Sequence, residues 1–284
     1  MERTSIDIDG PVSVIDHGGS GPLIVCVHGL EGSAYNWNLM GPELSETHRV
    51  VAPDLSGFGY TPPADRGSTV DVNTDLVAGV IREFGEEAIL IGNSMGGLIS
   101  ILTAERYPDL VRALVLLAPA APVTDWLRVR PPSAARLSAP LLPGVGARIV
   151  ESYRANQSVE KGVEENVAFV AHDPDSLDPQ VWDDALEVAA LRREQPWSTQ
   201  CLIDAGHSIV PYVLTRRRFA PLLHKVSQPT LLIHGVEDKL IQIQTARWIA
   251  RQRPDWTSVF LTDIGHVPML EVPDRTLQIV DAWL

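Results

Sequence analysis

The chain has 284 residues, 45% of them hydrophobic, and a formal charge of -13 at pH 7. That length supports one sizeable core, or one core with a smaller lobe. The acidic balance argues against nucleic acid and anionic membrane as partners, because both select clustered Lys and Arg; the longest basic cluster, Arg216-Arg217-Arg218, reads as a solvated helix face. Two cysteines, Cys26 and Cys201, cannot build a disulfide framework, which fits a reducing compartment. The polar N-terminus lacks a basic-then-apolar leader, and no run of about 20 apolar residues occurs, so the expectation is a cytoplasmic protein without a membrane span.

In chain order, residues 5–8 and 12–15 read as short strands joined by Asp9-Gly10-Pro11. Residues 23–27 form an apolar run suited to a strand buried on both faces, ending in His28-Gly29-Leu30. A helix is expected over 37–44 and a strand over 48–53, followed by the turn-rich Asp54-Leu55-Ser56-Gly57-Phe58-Gly59. Val72, Leu76, Val80 and Phe84 recur every four positions and predict an amphipathic helix over 70–84. A strand ending in Ile89-Leu90-Ile91 leads into Gly92-Asn93-Ser94-Met95-Gly96-Gly97 and an apolar helix over 98–106, with the next strand at 113–118.

The alternation then breaks. Residues 119–226 carry many prolines and amphipathic stretches but no comparable strand, and read as a mostly helical insertion between core segments 1–118 and 227–284. Afterwards come a strand at 230–235, a helix over 242–251, a strand at 258–261 and a final helix over 274–284. Fully apolar strands alternating with helices imply an α/β protein with a parallel sheet covered on both faces.

Strand, Gly-x-Ser-x-Gly, helix is a sharp turn that presents a serine hydroxyl outward, and its bland alternative is a Gly-rich connection whose serine caps the helix. A serine nucleophile needs a base, and the base needs an acid to fix its tautomer. His266, in the Gly-Pro-shaped loop after the last strand, and Asp238, just past the preceding strand, supply both in the chain order Ser94, Asp238, His266. Taken singly, His266 also reads as an exposed loop imidazole and Asp238 as a helix N-cap. Asp125 competes for the acid; Asp54 and His28 read as loop-organising groups, and His207 and His224 as surface or lid residues.

His28-Gly29, residues 54–59, 92–97, Gly235-Val236-Glu237-Asp238 and residues 265–273 together resemble the α/β-hydrolase superfamily in its serine-nucleophile branch. The resemblance implies an eight-stranded, mostly parallel sheet with helices on both faces and a helical cap inserted after the sixth strand. It also implies oxyanion donors at the backbone N–H groups of Leu30 and Met95. Among aromatic residues of the insertion (Trp126, Tyr153, Phe169, Trp182, Trp197, Tyr212), Trp126 and Trp197 are candidates to line a substrate pocket, as is Trp37 beside the oxyanion loop.

Serine rather than aspartate at position 94 separates the chain from epoxide hydrolases and haloalkane dehalogenases. The expected reaction is hydrolysis of a small to medium acyl compound, most simply a carboxylic ester. The elbow and residues 32–37 are also similar to carbon-carbon bond hydrolases of ring-cleavage products, although Leu30-Glu31-Gly32 and Val267 stand where those carry a Gly-Pro-Gly turn and a Trp. Lactone hydrolysis and perhydrolysis use the same groups, and a ligand-sensing protein on this fold is the alternative of another class. No His/Cys/Asp cluster has ligand spacing, so no metal or cofactor is expected.

Overall fold

The computed structural model describes residues 2–85, 87–122, 142 and 144–284. In chain order it contains β1 (Glu2–Asp7), β2 (Pro11–Gly18), β3 (Leu23–Val27), α1 (Gly41–Leu44), β4 (Arg49–Pro53), α2 (Val70–Phe84), β5 (Ala88–Asn93), α3 (Met95–Arg106) and β6 (Val111–Leu117). Then come α4 (Gly146–Ala155), α5 (Val159–Val170), α6 (Pro179–Glu194), α7 (Ser198–Val213) and α8 (Arg216–Lys225). The chain closes with β7 (Thr230–Gly235), α9 (Ile243–Gln252), β8 (Thr257–Leu261), α10 (Pro268–Glu271) and α11 (Pro273–Trp283).

The strands form one eight-stranded sheet in the order β1-β2-β4-β3-β5-β6-β7-β8. Pairings of β2 with β1 and β4 are antiparallel, and all others are parallel. Both faces are covered, as the continuous apolar strands require. Alternation along β3 divides its side chains: Leu23, Val25 and Val27 join the core containing α2, α3 and α9, whereas Ile24 and Cys26 join the core containing Trp37, Met40 and α11.

Two local expectations differ. The helix anticipated over 37–44 is two short pieces, a 3-10 turn at Ala34–Trp37 and α1, because Pro42 begins a fresh helix and Gly41 lies so close to the His17 ring that an added Cβ would fall 2.5 Å from it. Along α2 the expected Leu76 and Val80 are buried, but Val72 and Phe84 are only partly so, and the buried face widens to Val70, Asn73, Thr74, Val77 and Ile81. Asn73 is drawn inward by its own bonds: its amide donates to the Ser68 carbonyl at 3.1 Å and its oxygen accepts from the Ser56 N–H at 2.7 Å.

Between β6 and β7 the described residues form helices and no strand. Val163, Val167 and Val181 of α5 and α6 join the core containing Trp37, and Phe219 and Leu223 of α8 join the opposite one. The inserted helices are therefore seated on the sheet's cores rather than tethered by a linker.

His17, on β2, is buried with both ring nitrogens unpartnered, and burial pushes its pKa down to about 4. Burial likewise lowers His28 and His234. Each folded-state pKa lies below the unfolded value of about 6.5, so the unfolded chain binds protons that the native chain refuses. Stability should therefore be fully present above about pH 6.5 and fall as pH drops towards 4, by up to about 1.4 kcal/mol per pH unit for His17, with His28 and His234 acting in the same direction. Urea unfolding midpoints across that range check this; His17→Leu should flatten the slope.

Candidate active site

Ser94 sits between β5 and α3 with φ 54° and ψ -116°, a positive-φ conformation outside the regions open to side-chain-bearing residues, adopted only under constraint. The constraint is crowding. A Cβ on Gly96 would lie 2.1 Å from the Val27 carbonyl oxygen, and one on Gly92 would lie 2.5 Å from the Gly96 oxygen. The turn is pinned by hydrogen bonds from the Ser94 N–H to the Leu117 carbonyl (3.0 Å) and from the Ala120 N–H to the Ser94 carbonyl (2.8 Å). Asn93 adds a cross-link, its amide donating to the carbonyls of Leu117 (3.0 Å) and His266 (3.1 Å).

His266 and Asp238 are brought together from the loops after β8 and β7. The imidazole Nδ1–H donates to Asp238 Oδ2 at 2.7 Å, and both side chains are buried. That bond leaves Nε2 as the unprotonated nitrogen. Asp238 also behaves as a cap, because Oδ1 accepts from the N–H groups of Leu240 (2.7 Å) and Ile241 (2.9 Å). The cap and the imidazole therefore use different oxygens. Burial alone would raise the Asp238 carboxyl, yet His266, with His234 at 3.4 Å and the Ile241 N–H, holds it below the usual carboxylate range.

Glu271, on α10, has a role that the sequence did not reveal. Its buried carboxylate accepts from the N–H groups of Gly265 (2.9 Å), Val267 (3.2 Å) and His172 (2.7 Å), bracketing His266 and reaching the segment after α5. The only sequence signal is an acidic residue inside an otherwise apolar run. The His266 N–H itself donates to the Val170 carbonyl at 2.8 Å, and Lys239 donates to the carbonyls of Ala168 and Ala171.

His28 and Asp54 organise the neighbouring turn. Leu55 N–H donates to His28 Nε2 at 2.9 Å, so Nδ1 carries the proton and donates to the Gly29 carbonyl at 2.8 Å. Asp54 accepts from Ala34 N–H (2.8 Å), Tyr60 N–H (3.0 Å) and Arg3 (2.8 Å). The Gly29 backbone runs hard against the elbow: a Cβ there would be 3.2 Å from Ser94 Cβ. Leu30 follows Gly29 in this turn, and Met95 opens α3 directly after Ser94.

Of the candidate pocket walls, Trp37 packs into the core. Its ring is fully buried in the core with Ala34, Met40 and Leu44, because the 3-10 turn directs it onto the sheet, where a large aromatic face contributes most. Trp197 is half-buried at the start of α7 with its indole N–H unpartnered. Trp126 and the alternative acid Asp125 lie outside the described residues. His207 and His224 are exposed. A small cavity of about 10 Å³, room for a single water, lies beside the Leu30 turn between Glu31, Phe58, Arg154, Val188, Arg192 and Leu202. Among the described residues no His/Cys/Asp/Glu group could hold a metal ion, and no helix is long and apolar enough to cross a membrane.

The family model for the alpha/beta hydrolase fold matches residues 22–273, which include every side chain described above except Arg3 and His17. The chain belongs to this family. It is a hydrolase of that fold. It is 32% identical to a 2-hydroxymuconate semialdehyde hydrolase of Pseudomonas sp. (strain CF600), an alignment covering 95% of this chain and 88% of that one. It is 28% identical to a pimeloyl-[acyl-carrier protein] methyl ester esterase of Aromatoleum aromaticum, over 92% and 97% of the two chains. A meta-cleavage product hydrolase from Pseudomonas fluorescens IP01 superposes with a TM-score of 0.77 at 23% identity, over 99% and 96%, a likeness of fold.

Removing the Glu271 carboxylate should strand three N–H groups at once. Glu271→Leu should cost about 3 kcal/mol of unfolding free energy, and Glu271→Gln, which keeps one acceptor, about 1 kcal/mol. Urea denaturation at neutral pH measures both.

Proposed function

We propose that this hydrolase cleaves small to medium acyl substrates, most simply carboxylic esters, through Ser94, His266 and Asp238. The observation that carries the reading is the buried 2.7 Å bond from His266 Nδ1–H to Asp238, in a loop whose His266 carbonyl accepts from Asn93, the residue before a serine held at positive φ. With Nδ1 committed, Nε2 takes the Ser94 proton as Oγ attacks the carbonyl carbon. The carbonyl electron pair moves onto oxygen, where the Leu30 and Met95 N–H groups and the positive end of α3 stabilise it. Collapse expels the alcohol, which receives the proton from His266, and leaves an acyl-enzyme. His266 then deprotonates water, which attacks the acyl-enzyme, and His266 returns the proton to Ser94 Oγ as the carboxylic acid leaves. Asp238 stays ionised throughout and stabilises the imidazolium. The segment 119–226 acts as a cap that shapes the acyl pocket.

A second reading has a specific support. The 32% identity to a 2-hydroxymuconate semialdehyde hydrolase favours cleavage of a carbon-carbon bond next to a ketone, in which the leaving group is a stabilised carbanion instead of an alkoxide. The two readings share the triad and differ in the substrate's leaving group.

A fluorophosphonate probe should label the wild-type protein at Ser94, and short-chain p-nitrophenyl esters should turn over. Ser94→Ala or His266→Ala should lower kcat by about 1000-fold or more. Absence of both labelling and turnover would sink the enzyme reading; ligand-dependent binding to another protein without turnover would favour a sensor. Turnover of a vinylogous diketone at least about 100-fold more efficient than any ester in a panel would select carbon-carbon cleavage.

A further inference from the structure

The turn carrying Leu30 has an unusual residue at its crown. Gly32 N–H donates to the Gly29 carbonyl at 3.0 Å, closing a reversal in which Glu31 stands at φ 58°. That conformation is the usual province of glycine. Glu31 is held there from the inserted helices. Arg192, on α6, donates to the Glu31 carbonyl at 2.5 Å, and Arg154, on α4, meets its carboxylate at 3.1 Å. The second Arg192 nitrogen lies 3.9 Å from the same carboxylate oxygen.

Arg154 is itself fixed by Ser198 (3.0 Å) and Thr199 (3.2 Å), and Ser198 donates back to the Arg192 carbonyl at 2.8 Å. The network closes around the water-sized cavity. On the other side of the turn, the Leu30 side chain packs against Val150, Leu202 and Ile203, all on inserted helices. Backbone carbonyl, carboxylate and neighbouring side chain are thus all gripped by the insertion.

We propose that Glu31 is a positioning residue: the Arg154–Arg192 clamp holds the Gly29–Gly32 turn in the left-handed form that aims the Leu30 N–H at Ser94, so the oxyanion site is complete only when the inserted helices are seated. The inference rests on the serine-hydrolase reading for its kinetic arm and on structure alone for its exchange arm. The carboxylate is a tether, neither acid nor base, and the feature that matters is the backbone conformation it secures.

Glycine separates these roles. Glu31→Ala loses the carboxylate tether and keeps the side-chain penalty for positive φ; Glu31→Gly loses the tether but takes that φ freely. Glu31→Ala should lower kcat for p-nitrophenyl butyrate and the rate of fluorophosphonate labelling about tenfold, with KM changed less than about twofold, and Glu31→Gly should recover most of both. Hydrogen exchange over residues 28–33 should speed up in Glu31→Ala and Arg154→Met while the thermal midpoint moves by only a few degrees. Wild-type kcat in Glu31→Ala, equal impairment in Glu31→Gly, or a loss confined to KM would overturn the proposal. If the wild-type protein is not labelled at Ser94, the serine-hydrolase reading fails, and the exchange data still decide the clamp: unchanged exchange over 28–33 removes it.

Discussion

The constraint on which the site depends is the close approach of backbone to backbone at the carboxyl ends of the central strands. Gly96 lies against the Val27 carbonyl, Gly29 against Ser94, and Gly235 against Gly265, where an added Cβ would fall 2.0 Å from the carbonyl oxygen. These contacts bring the ends of β3, β5 and β7 and the loop after β8 to one small volume. Larger side chains at the glycines would separate them and relax the turn at Ser94. The positive φ of Ser94 is thus imposed by surrounding structure, which is how a locally unfavourable conformation persists in a folded chain.

Electrostatics acts within that frame. Asp238 is a fully buried carboxylate, and such a group is tolerated only when its charge is balanced and its lone pairs are filled. Two main-chain N–H groups and one imidazole N–H donate to it. His234 donates to the Ile241 carbonyl at 2.7 Å and faces the same carboxylate from below. Glu271 solves a similar problem at the other side of His266 by accepting from main-chain donors of the loop. One carboxylate orients the ring, and the other shapes the loop that carries it.

Much of this was legible in the sequence, for local reasons. The elbow at 92–97 is bounded by an apolar run and a helix-forming stretch, so its turn follows from glycine spacing, and Asp238 and His266 follow apolar runs that end abruptly at strand termini. What was not legible depends on distant partners. Glu271 acquires its role only when Gly265, Val267 and His172 converge on it. Trp37 neighbours the Leu30 turn in sequence, but its burial in the core depends on Ala34, Met40 and Leu44 packing around it. On α2 the hydrophobic pattern locates Leu76 and Val80 in the core but not Asn73 and Thr74, which are polar and yet fully buried, with hydrogen bonds that no hydrophobic pattern records.

The two halves of the molecule are joined by different chemistry. Within the sheet domain the site is held by main-chain bonds and apolar packing, which depend little on side-chain identity beyond glycine and a few caps. The inserted helices meet that domain partly through apolar cores, but around the elbow they do so through polar side chains: Tyr35 and Tyr60 both donate to Glu187 at 2.6 Å, Asn38 to Asp184 at 2.7 Å, and Gln195 to the Gly59 carbonyl at 2.7 Å. Such exposed or half-buried polar pairs are individually weak. They differ in kind from the main-chain bond by which the Val170 carbonyl accepts from the His266 N–H. A fold built this way fixes its strand ends by main-chain contacts, while many of its contacts to the insertion are side-chain pairs that are cheaper to change.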